Sequence, residues 1–505
     1  MLPVQKPQIL PSLEDFSANF DAGKPQLVWT TVPADLDTPV SAMLRLMDEK
    51  SPCFLLESVE KGEIRGRYSV IGLKPDIIWR CKGNKAEICH SDTHSPENFE
   101  PCEGDVLASF RKLYEASKIE IPDGLPPMAC GLVGTMGYDM VKLMEDLPST
   151  KPDSICIPDS CFIRPKIMVI FDAVTDTIFI ITSILMDKVR GNAVDAYNAA
   201  QKRINYVLQK LAEPVPEAKK NGWKPVTIAD FKSNTTRENY DNMLERAREY
   251  IRAGDIFQVV LSQRFSSPFN LPPFALYRAL RRLNPSPFLF YLHLGDYTLV
   301  GSSPEILVRL RDGEVTIRPI AGTRRRGKNK QEDEMLAADL LADPKEVSEH
   351  LMLLDLGRND VGRVAKIGSV KTTQKMTIEN YSHVMHIVSN VVGELDEKFD
   401  ALSALTAGFP AGTVSGAPKI RAMEIIDELE TEARSFYAGC IGYFSGNGDM
   451  DTCITLRTGL IKDGVLHVQA GGGIVADSEN EAEYQEALIK SRALMRAAEE
   501  AIKFV

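Results

Sequence analysis

Short apolar runs dominate the first half of the chain and are typical of β-strands. Residues 53–56 and 66–71 are two such runs, and glycine-rich segments such as Gly131 to Gly137 are interpreted as turns between strands. The pattern therefore predicts a first half that is rich in antiparallel sheet.

The longest apolar stretch, residues 167–186, is interrupted by Asp172 and Asp176 and alternates along residues 177–180. A membrane-spanning helix needs about 20 apolar residues with few charges, so this stretch indicates a β-hairpin instead. No transmembrane segment is predicted, and a membrane is excluded as a partner.

A change of pattern occurs near residues 213–220, where paired prolines and charges cannot continue the preceding helix. Beyond it, apolar residues from Tyr240 to Ile251 recur at helical spacing, Ala253-Gly254 ends that helix, and a β-branched run follows. We predict an N-terminal region at 1–212, a linker at 213–235 and a catalytic domain at 236–505.

Composition narrows the class of protein. A chain of 505 residues can enclose a deep cleft, and 59 basic against 70 acidic residues give a net charge of −11 without a dense basic tract. Nucleic acid is therefore excluded as a partner.

The N-terminus lacks a basic-then-apolar signal, and nine scattered cysteines without Cys-x-x-Cys pairs indicate core residues in a reducing cytoplasm.

One segment of the second half predicts a helix with paired carboxylates. Asp343-Pro344 with Glu346 is typical of a helix start closed by a capping box, and Glu346 and Glu349 lie three residues apart on one face. The predicted apolar stripe consists of Val347, Leu351 and Leu354.

A second segment repeats this arrangement. Ser478 and Glu481 predict another capping box, Glu483 and Glu486 are three residues apart, and Lys490 lies one turn further. Taken singly, each pair is typical of a solvated helix surface. If the two faces converge in a cleft, four carboxylates would suit Mg²⁺, which prefers oxygen ligands. Spacing alone leaves both alternatives open.

Two glycine segments accompany these helices. The glycines at 471–473 can present backbone N–H groups to a carboxylate, and the loop 409–419, with its hydroxyl groups, leads into a predicted helix from Lys419 to Leu429. His386 is either structural or an acid–base group, and its spacing does not decide between them.

Taken together, residues 319–323, 349–360, 409–419 and 473–478 closely resemble the chorismate-utilising enzymes. The resemblance covers residues 236–505, with weaker similarity before them. It implies an α/β (α+β) composite fold in which large antiparallel β-sheets pack as a sandwich with surrounding helices in two interwoven lobes, with chorismate and Mg²⁺ in a cleft.

The resemblance also implies residue roles. Glu349 and Glu486 would hold Mg²⁺ directly, and Glu346 and Glu483 would support it through water. Glu305 would protonate the departing 4-hydroxyl, Thr323 would line the ring site, and His386 would assist elimination of pyruvate. The residues implied to hold the substrate are Tyr437, Arg457, Gly471, Gly472, Gly473 and Lys490.

Within this family, two positions indicate amination at C2 and release of anthranilate. Water-using relatives carry a lysine where this chain has Gln258, and relatives that aminate C4 carry a nucleophilic lysine at Ala321. The alternatives are an aminodeoxychorismate or aminodeoxyisochorismate synthase and, from another class, a non-catalytic tryptophan sensor on the same scaffold.

A tryptophan feedback site is a further implication of the resemblance. Glu57 and Ser58 with Pro287, Phe288 and Leu289 match it, although relatives usually carry tyrosine and methionine where this chain has Phe288 and Leu289. No cysteine-centred glutaminase motif is present. We therefore expect free ammonia as a substrate of the chain alone, and a hetero-oligomer with a small glutamine amidotransferase subunit that supplies ammonia.

Overall fold

The computed structural model describes residues 7–60, 64–90, 98–186, 191–217, 222–381 and 384–505. The helices of these residues are α1 Leu13–Asp21, α2 Pro39–Leu46, α3 Val106–Glu115, α4 Ala193–Ala212, α5 Arg237–Ala253, α6 Pro273–Leu283, α7 Lys330–Ala342, α8 Pro344–Gly362, α9 Ala401–Gly408, α10 Gly412–Ser415, α11 Lys419–Leu429 and α12 Asn480–Glu500.

The strands of the same residues are β1 Gln26–Pro33, β2 Cys53–Glu60, β3 Ile64–Lys82, β4 Lys85–Cys89, β5 Phe99–Pro101, β6 Gly131–Met136, β7 Ser160–Asp172, β8 Thr177–Ile184, β9 Lys232–Ser233, β10 Gln258–Pro268, β11 Phe288–His293, β12 Tyr297–Ser303, β13 Ile306–Arg311, β14 Glu314–Ile317, β15 Ile320–Arg325, β16 Lys371–Asn380, β17 Val384–Glu394, β18 Gly416–Ala417, β19 Cys440–Ser445, β20 Met450–Ile454, β21 Thr458–Lys462 and β22 Val465–Ile474.

Antiparallel pairing links these strands along two paths. One path runs from β1 through β8, β7, β3, β2, β11, β12, β21 and β22 to β10. The other leaves β7 through β6, β19, β20, β13, β14 and β17. The long strand β7 is where the two paths separate, and its register with β3 shifts between Pro75 and Ile77. The predicted α/β fold with large antiparallel sheets is confirmed, and hydrogen bonding is continuous between the sheets.

Many strands are buried on both faces. In β2, Phe54 lies in an apolar core that consists almost wholly of strand and loop residues, whereas the next residue, Leu55, faces a core that includes helices α4 and α6. Such strands carry apolar runs instead of strict alternation.

Seven of the nine cysteines are buried, as expected of core residues, whereas Cys102 is half-buried and Cys156 is exposed.

Several local predictions agree with the structure. The stretch 167–186 is a hairpin in which Asp172 of β7 pairs with Thr177 of β8. Helix α5 ends at Gly254, whose φ of 83° is a left-handed conformation that glycine adopts without steric cost. Helix α11 spans the predicted residues. None of the helices in the described ranges is long and apolar enough to cross a membrane.

The prediction of turns at Gly131 to Gly137 is wrong, because residues 131–136 form the buried strand β6. A Cβ at Gly134 would lie 2.1 Å from the Cys161 carbonyl oxygen. Glycine is therefore needed here for close approach of two strands and not for a turn.

The linker lies between α4, which ends at Ala212, and α5, which begins at Arg237; its residues 218–221 lie outside the described residues. Strands from both sides of it pair with each other, as β2 does with β11 and β6 with β19. The boundary at 213–235 stays a prediction.

Candidate active site

The acidic faces of α8 and α12 meet beside the strand pair β10 and β22. Gln258 at the start of β10 donates from Nε2 to Glu349 Oε1 at 3.0 Å. A Cβ at Gly472 of β22 would lie 2.8 Å from Glu483 Oε2 and 3.7 Å from the Glu486 carboxyl carbon. The structure therefore brings together two carboxylate pairs that lie more than a hundred residues apart in the chain.

Helix α8 starts largely as predicted. Asp343 caps it by accepting from the backbone N–H groups of Lys345 and Glu346, and Pro344 occupies the first turn. Glu346 does not close a capping box, because its Oε1 accepts from Arg324 Nη1 at 2.9 Å. The side chain of Glu346 is therefore held toward β15, the strand that carries Arg324.

The predicted apolar stripe of α8 is largely wrong. Leu351 is 42% exposed and Val347 is half-buried, whereas Leu354 is buried as predicted. His350, Leu353 and Val361 complete the buried face. The rotation of the helix follows from His350, whose Nε2 lies 2.6 Å from the Ser389 hydroxyl in the core.

The predicted capping box of α12 is also wrong. The helix begins at Asn480 without a side-chain cap. Ser478 instead accepts from the Val475 N–H and donates to Glu483 Oε1 at 2.7 Å, and Glu481 pairs with Arg237. The Ser478 hydroxyl therefore orients a candidate carboxylate instead of capping the helix.

Burial and mutual repulsion act on these carboxylates. Burial raises the pKa of Glu349, and Glu346 and Glu486 raise it further. Burial and then Glu486 raise the pKa of Glu483, whose buried Oε2 has no hydrogen-bond partner among the described residues. Glu486 forms an ion pair with Lys490 at 2.6 Å. Converging carboxylates with an unpartnered buried oxygen are a donor set suited to a hard cation.

No group of three or more His, Cys, Asp or Glu side chains in the described part of the chain is close enough together to hold a metal ion as it stands. A Mg²⁺ site at these glutamates therefore stays a prediction.

Glu305 lies in a separate, buried part of the cleft. It follows β12, accepts from the Thr413 hydroxyl at 3.1 Å and lines a small cavity of about 30 Å³ with Arg318 and Asp360. Burial raises the pKa of its carboxyl from 4.5 to about 8, and the Thr413 hydrogen bond opposes this rise. A carboxyl of this kind is protonated at neutral pH and can donate a proton.

His386 and Thr323 lie on the paired strands β17 and β15. Nδ1 of His386 is 2.9 Å from the Gly322 carbonyl oxygen and 3.1 Å from the Thr323 hydroxyl. Burial lowers the pKa of the imidazole to about 4, and Arg457 lowers it further. The imidazole is therefore neutral at neutral pH, and Nε2 is left to accept a proton if Nδ1 donates to Gly322.

The candidate carboxylate-binding residues gather near β22. Burial raises the pKa of Tyr437 to about 12, and the backbone of Gly471 hydrogen-bonds its hydroxyl. Lys490 Nζ donates to the Gly471 carbonyl oxygen at 3.0 Å. Arg457 has a φ of 47° and, within the described ranges, no ion-pair partner, and burial lowers the pKa of its guanidinium. A desolvated, unpaired guanidinium is suited to a carboxylate ligand.

The glycines at 471–473 lie inside β22 and not in a loop. Gly471, Gly472 and Gly473 pair with Ser262, Leu261 and Val260 of β10. Backbone groups of this segment are therefore engaged in the sheet, which limits the predicted cradle of successive free N–H groups.

The predicted tryptophan-site residues also come together. Glu57 of β2 pairs with Leu289 of β11; Ser58 follows Glu57 in the chain, and Pro287 and Phe288 precede Leu289. Both Glu57 oxygens accept from Arg281, at 2.6 and 2.9 Å, and the Tyr277 hydroxyl is a further donor. The site is thus centred on a buried, already hydrogen-bonded carboxylate.

Two groups that matter to this site were not singled out from the sequence. From the sequence, Thr413 is identified only as part of the loop 409–419, and the buried pair Arg434 and Glu430 is not identified. A threonine in a glycine-rich loop is a weak signal, and charged residues after a helix are usually exposed. Their partners are distant in sequence, so spacing could not identify them.

Comparison with known proteins agrees with the geometry. The profile of the chorismate binding enzyme family matches residues 51–496. Anthranilate synthase component 1 of Cereibacter sphaeroides is 54% identical over 97% of this chain and 98% of its own. The crystal structure of anthranilate synthase component I from Streptococcus pneumoniae superimposes with a TM-score of 0.77 at 38% identity, over 92% of this chain and 99% of that one. The menaquinone-specific isochorismate synthase of Escherichia coli, at 19% identity and a TM-score of 0.69 over 97% and 100%, shares the fold.

We predict that Glu305→Gln stabilises the protein increasingly from pH 5 to pH 8. The folded state holds Glu305 neutral up to about 8, whereas the unfolded chain ionises it near 4.5, so unfolding is favoured as pH rises through this window. Glutamine cannot ionise. Melting measured by circular dichroism should be roughly 2–6 °C higher for the variant at pH 8, with little difference at pH 5. Exposed Glu314→Gln is the control; equal melting of Glu305→Gln and the unsubstituted protein at both pH values contradicts the prediction.

Proposed function

This chain belongs to the chorismate-binding enzyme family, and on that premise we propose that it converts chorismate to anthranilate and pyruvate with nitrogen from ammonia. The predictions of a chorismate-converting enzyme and of an anthranilate synthase component are confirmed by the relatives. The observation that carries the assignment of roles is Glu305, a carboxyl kept protonated by burial.

Glu305 is the general acid of the first chemical step. Hydroxide is a poor leaving group, so loss of the 4-hydroxyl requires a proton. A carboxyl with a pKa of about 8 carries this proton at neutral pH, whereas an exposed glutamic acid would have lost it. Ammonia forms a bond to C2, the ring double bond shifts, and the C4–O bond breaks as the 4-hydroxyl departs as water. The added nitrogen then loses one proton, which restores the Glu305 carboxyl, and aminodeoxyisochorismate forms.

His386 acts in the second step. Its neutral imidazole takes the C2 proton as the C3–O bond breaks and enolpyruvate leaves, so that the ring becomes aromatic. A proton is then returned to the methylene carbon of enolpyruvate, which gives pyruvate and restores the neutral imidazole. The Gly322 carbonyl and the Thr323 hydroxyl lie beside Nδ1 and fix the orientation of the imidazole ring. Thr323 therefore lines the ring site and positions the base.

The substrate carboxylates bind near β22. Arg457, Tyr437 and the backbone of residues 471–473 hold the enolpyruvyl carboxylate, and Lys490 adds positive charge at the same edge. The donor set supports this role because Arg457 has no ion pair in the described ranges. Two fixed anchors orient the ring between Glu305 and His386.

Glu349 and Glu486 would hold Mg²⁺ directly, and Glu346 and Glu483 would support it through water. The unpartnered Glu483 Oε2 and the repulsion between these carboxylates support the assignment. When bound, the ion supplies positive charge that fixes the ring carboxylate of chorismate.

The side chains at two positions favour amination at C2 over the alternative reactions. Gln258 cannot deprotonate water, and it is held by its hydrogen bond to Glu349. Ala321, on β15, carries only a methyl group where a nucleophilic lysine would be needed for amination at C4. A product mixture rich in aminodeoxyisochorismate would indicate that His386 does not complete the elimination.

Relatives named component 1 imply an enzyme with a second component. We assign that role to a small glutamine amidotransferase subunit that delivers ammonia to this chain in a hetero-oligomer. Residues 236–505 form the catalytic domain and residues 1–212 the region that carries the tryptophan site, with 213–235 as the linker.

Anthranilate fluorescence tests the proposed reaction. The purified chain with chorismate, Mg²⁺ and ammonium should produce anthranilate, EDTA should abolish production, and excess Mg²⁺ should restore it because the four glutamates need a cation. Glu349→Gln and Glu486→Gln should raise the Mg²⁺ concentration required for half-maximal activity roughly tenfold or more. Exposed Glu314→Gln is the matched control. Chorismate consumption without anthranilate, in folded protein, would overturn the assignment.

The pH profile of kcat/KM tests the two acid–base roles. Because Glu305 must be protonated and His386 neutral, activity should be high between about 4 and about 8 and fall about tenfold per pH unit above about 8. Total ammonium is adjusted to keep free ammonia constant. Glu305→Gln should lose activity at every pH. The fall in activity at high pH is the upper limb of the profile. If the residual activity of Glu305→Gln shows this upper limb at the same pH, the limb belongs to a group other than Glu305.

Tryptophan binding at Glu57 and Ser58 is the proposed feedback control. The amino group of tryptophan would donate to these side chains beside Leu289, so Ser58→Ala and Glu57→Gln should weaken binding roughly ten- to hundredfold. Isothermal titration calorimetry measures this independently of turnover, and kcat without tryptophan should stay within about twofold for Ser58→Ala. Exposed Glu49→Gln is the control. Unchanged tryptophan affinity in both variants would place the inhibitor elsewhere.

A further inference from the structure

A fully buried ion pair lies beneath the cleft, outside the residues that contact substrate in the proposed reaction. Arg434 and Glu430 are 2% and 3% exposed. The Arg434 Nε donates to Glu430 Oε2 at 2.9 Å and Nη2 donates to Oε1 at 2.6 Å. This is a two-pronged guanidinium–carboxylate pair whose geometry is fixed by both partners.

The remaining Arg434 donors bind backbone on two sides of the site. Nη1 donates to the Val414 carbonyl at 2.7 Å, and Nη2 donates to the Val260 carbonyl at 2.6 Å. Val414 follows Thr413, whose hydroxyl donates to Glu305. Val260 lies on β10 two residues after Gln258, which holds Glu349. One guanidinium thus connects α10, which carries Thr413, to strand β10, which carries Gln258.

Glu430 extends the same connection along β10. Its Oε1 accepts from both the N–H and the hydroxyl of Ser262 at 2.8 Å. The Arg434 guanidinium carbon also lies 5.6 Å from the centre of the Tyr437 ring, within range of a cation–π contact. The pair therefore contacts three elements that carry proposed site residues.

A contribution to the stability of the folded protein does not by itself explain why this ion pair is buried. Removing two charges from water is costly, and buried ion pairs are often no more stabilising than apolar residues of similar volume. A lysine could not replace the arginine, because one ammonium cannot reproduce four N–H bonds fixed in one plane. The arrangement instead fits a requirement for fixed geometry.

We propose that Arg434 is a positioning residue which, through Val414, holds Thr413 against Glu305 and so sets the strength of the general acid. The inference deepens the proposed function and rests on it. Other charged or titratable groups near Glu305 are Lys490, Tyr381, Arg318 and Asp360. None of them contacts Arg434 in the described residues, so they stay in place when Arg434 is changed.

The test compares Arg434→Lys, Thr413→Val, the double variant and Thr413→Ser. Arg434→Lys should lower kcat roughly 10- to 100-fold while the chorismate KM stays within about threefold, because positioning and not binding is lost. Since the Thr413 hydrogen bond lowers the pKa of Glu305, its loss should move the upper pH limb upward by roughly 0.5 to 1 unit in Arg434→Lys and Thr413→Val. Thr413→Ser should keep the limb in place.

The double variant distinguishes the loss of the Thr413–Glu305 hydrogen bond from a general loss of folded structure. If both substitutions remove the same hydrogen bond, the double variant should be no slower than Arg434→Lys alone. Arg164→Lys is the matched control, because Arg164 is also 2% exposed and forms a two-pronged pair with Asp76, which is not a residue of the proposed site. It should lower the melting temperature and leave the pH limb unchanged.

Hydrogen–deuterium exchange gives a readout that does not depend on turnover. Arg434→Lys should increase exchange in peptides covering 409–418 and 258–262, whereas Arg164→Lys should not. If the unsubstituted protein makes no anthranilate, the proposed function fails, and exchange still decides whether Arg434 fixes the loop.

A folded Arg434→Lys protein with unchanged kcat and pH limb, or full additivity with Thr413→Val, would overturn the inference. If Arg434→Lys does not fold, Thr413→Val still tests the inference: an upper limb that stays in place refutes it, because the hydrogen bond that Arg434 is proposed to hold would then not set the pKa of Glu305.

Discussion

The close pairing of β10 with β22 is the constraint on which the candidate site depends. At three successive positions of β22, a side chain would collide with a different neighbour. A Cβ at Gly471 would meet the Leu261 carbonyl at 2.1 Å, one at Gly472 would meet Glu483, and one at Gly473 would meet the Gln258 amide at 2.4 Å. The absence of side chains there lets α12 and the Gln258 side chain approach the strand, and so lets the two acidic helices converge.

Burial then accounts for the protonation states of both the proposed acid, Glu305, and the proposed base, His386. Desolvation disfavours the charged form of either group, so it raises the pKa of Glu305 to about 8 and lowers that of His386 to about 4. Both groups are neutral at neutral pH, one holding a proton and the other able to accept one. A single physical cause therefore shifts the two pKa values in the opposite directions that the proposed proton transfers require, and hydrogen bonds adjust each value.

Strand pairing also connects the residues of the proposed tryptophan site to the segment that carries Glu305. Glu57 of β2 pairs with Leu289 of β11, and the neighbouring Phe288 pairs with Ser303 of β12, two residues before Glu305. The Ser286 hydroxyl donates to the Ser303 carbonyl at 2.5 Å. A ligand that shifted β11 would therefore act on the segment that carries Glu305, which is the kind of differential contact that coupling between sites requires.

The sequence by itself determined the features that local forces control. The boundaries of α11, the left-handed end of α5 at Gly254 and the Asp343 cap of α8 depend on hydrogen bonds and backbone preferences within a few residues. The motifs also identified the family and its candidate residues. Two local predictions are wrong: Ser478 does not cap α12, and residues 131–136 form a strand instead of turns. At residues 131–136, contacts with residues distant in sequence override the local preference.

Only the tertiary structure decided which groups meet and how strongly they are perturbed. Thr413 reaches Glu305 across 108 residues and Arg434 reaches Val260 across 174, and no sequence period encodes such contacts. The pKa values of Glu305 and His386 likewise depend on desolvation by the whole packed chain. Local patterns fix where helices and strands begin, whereas burial and long-range hydrogen bonds, which arise only on folding, decide what the side chains can do.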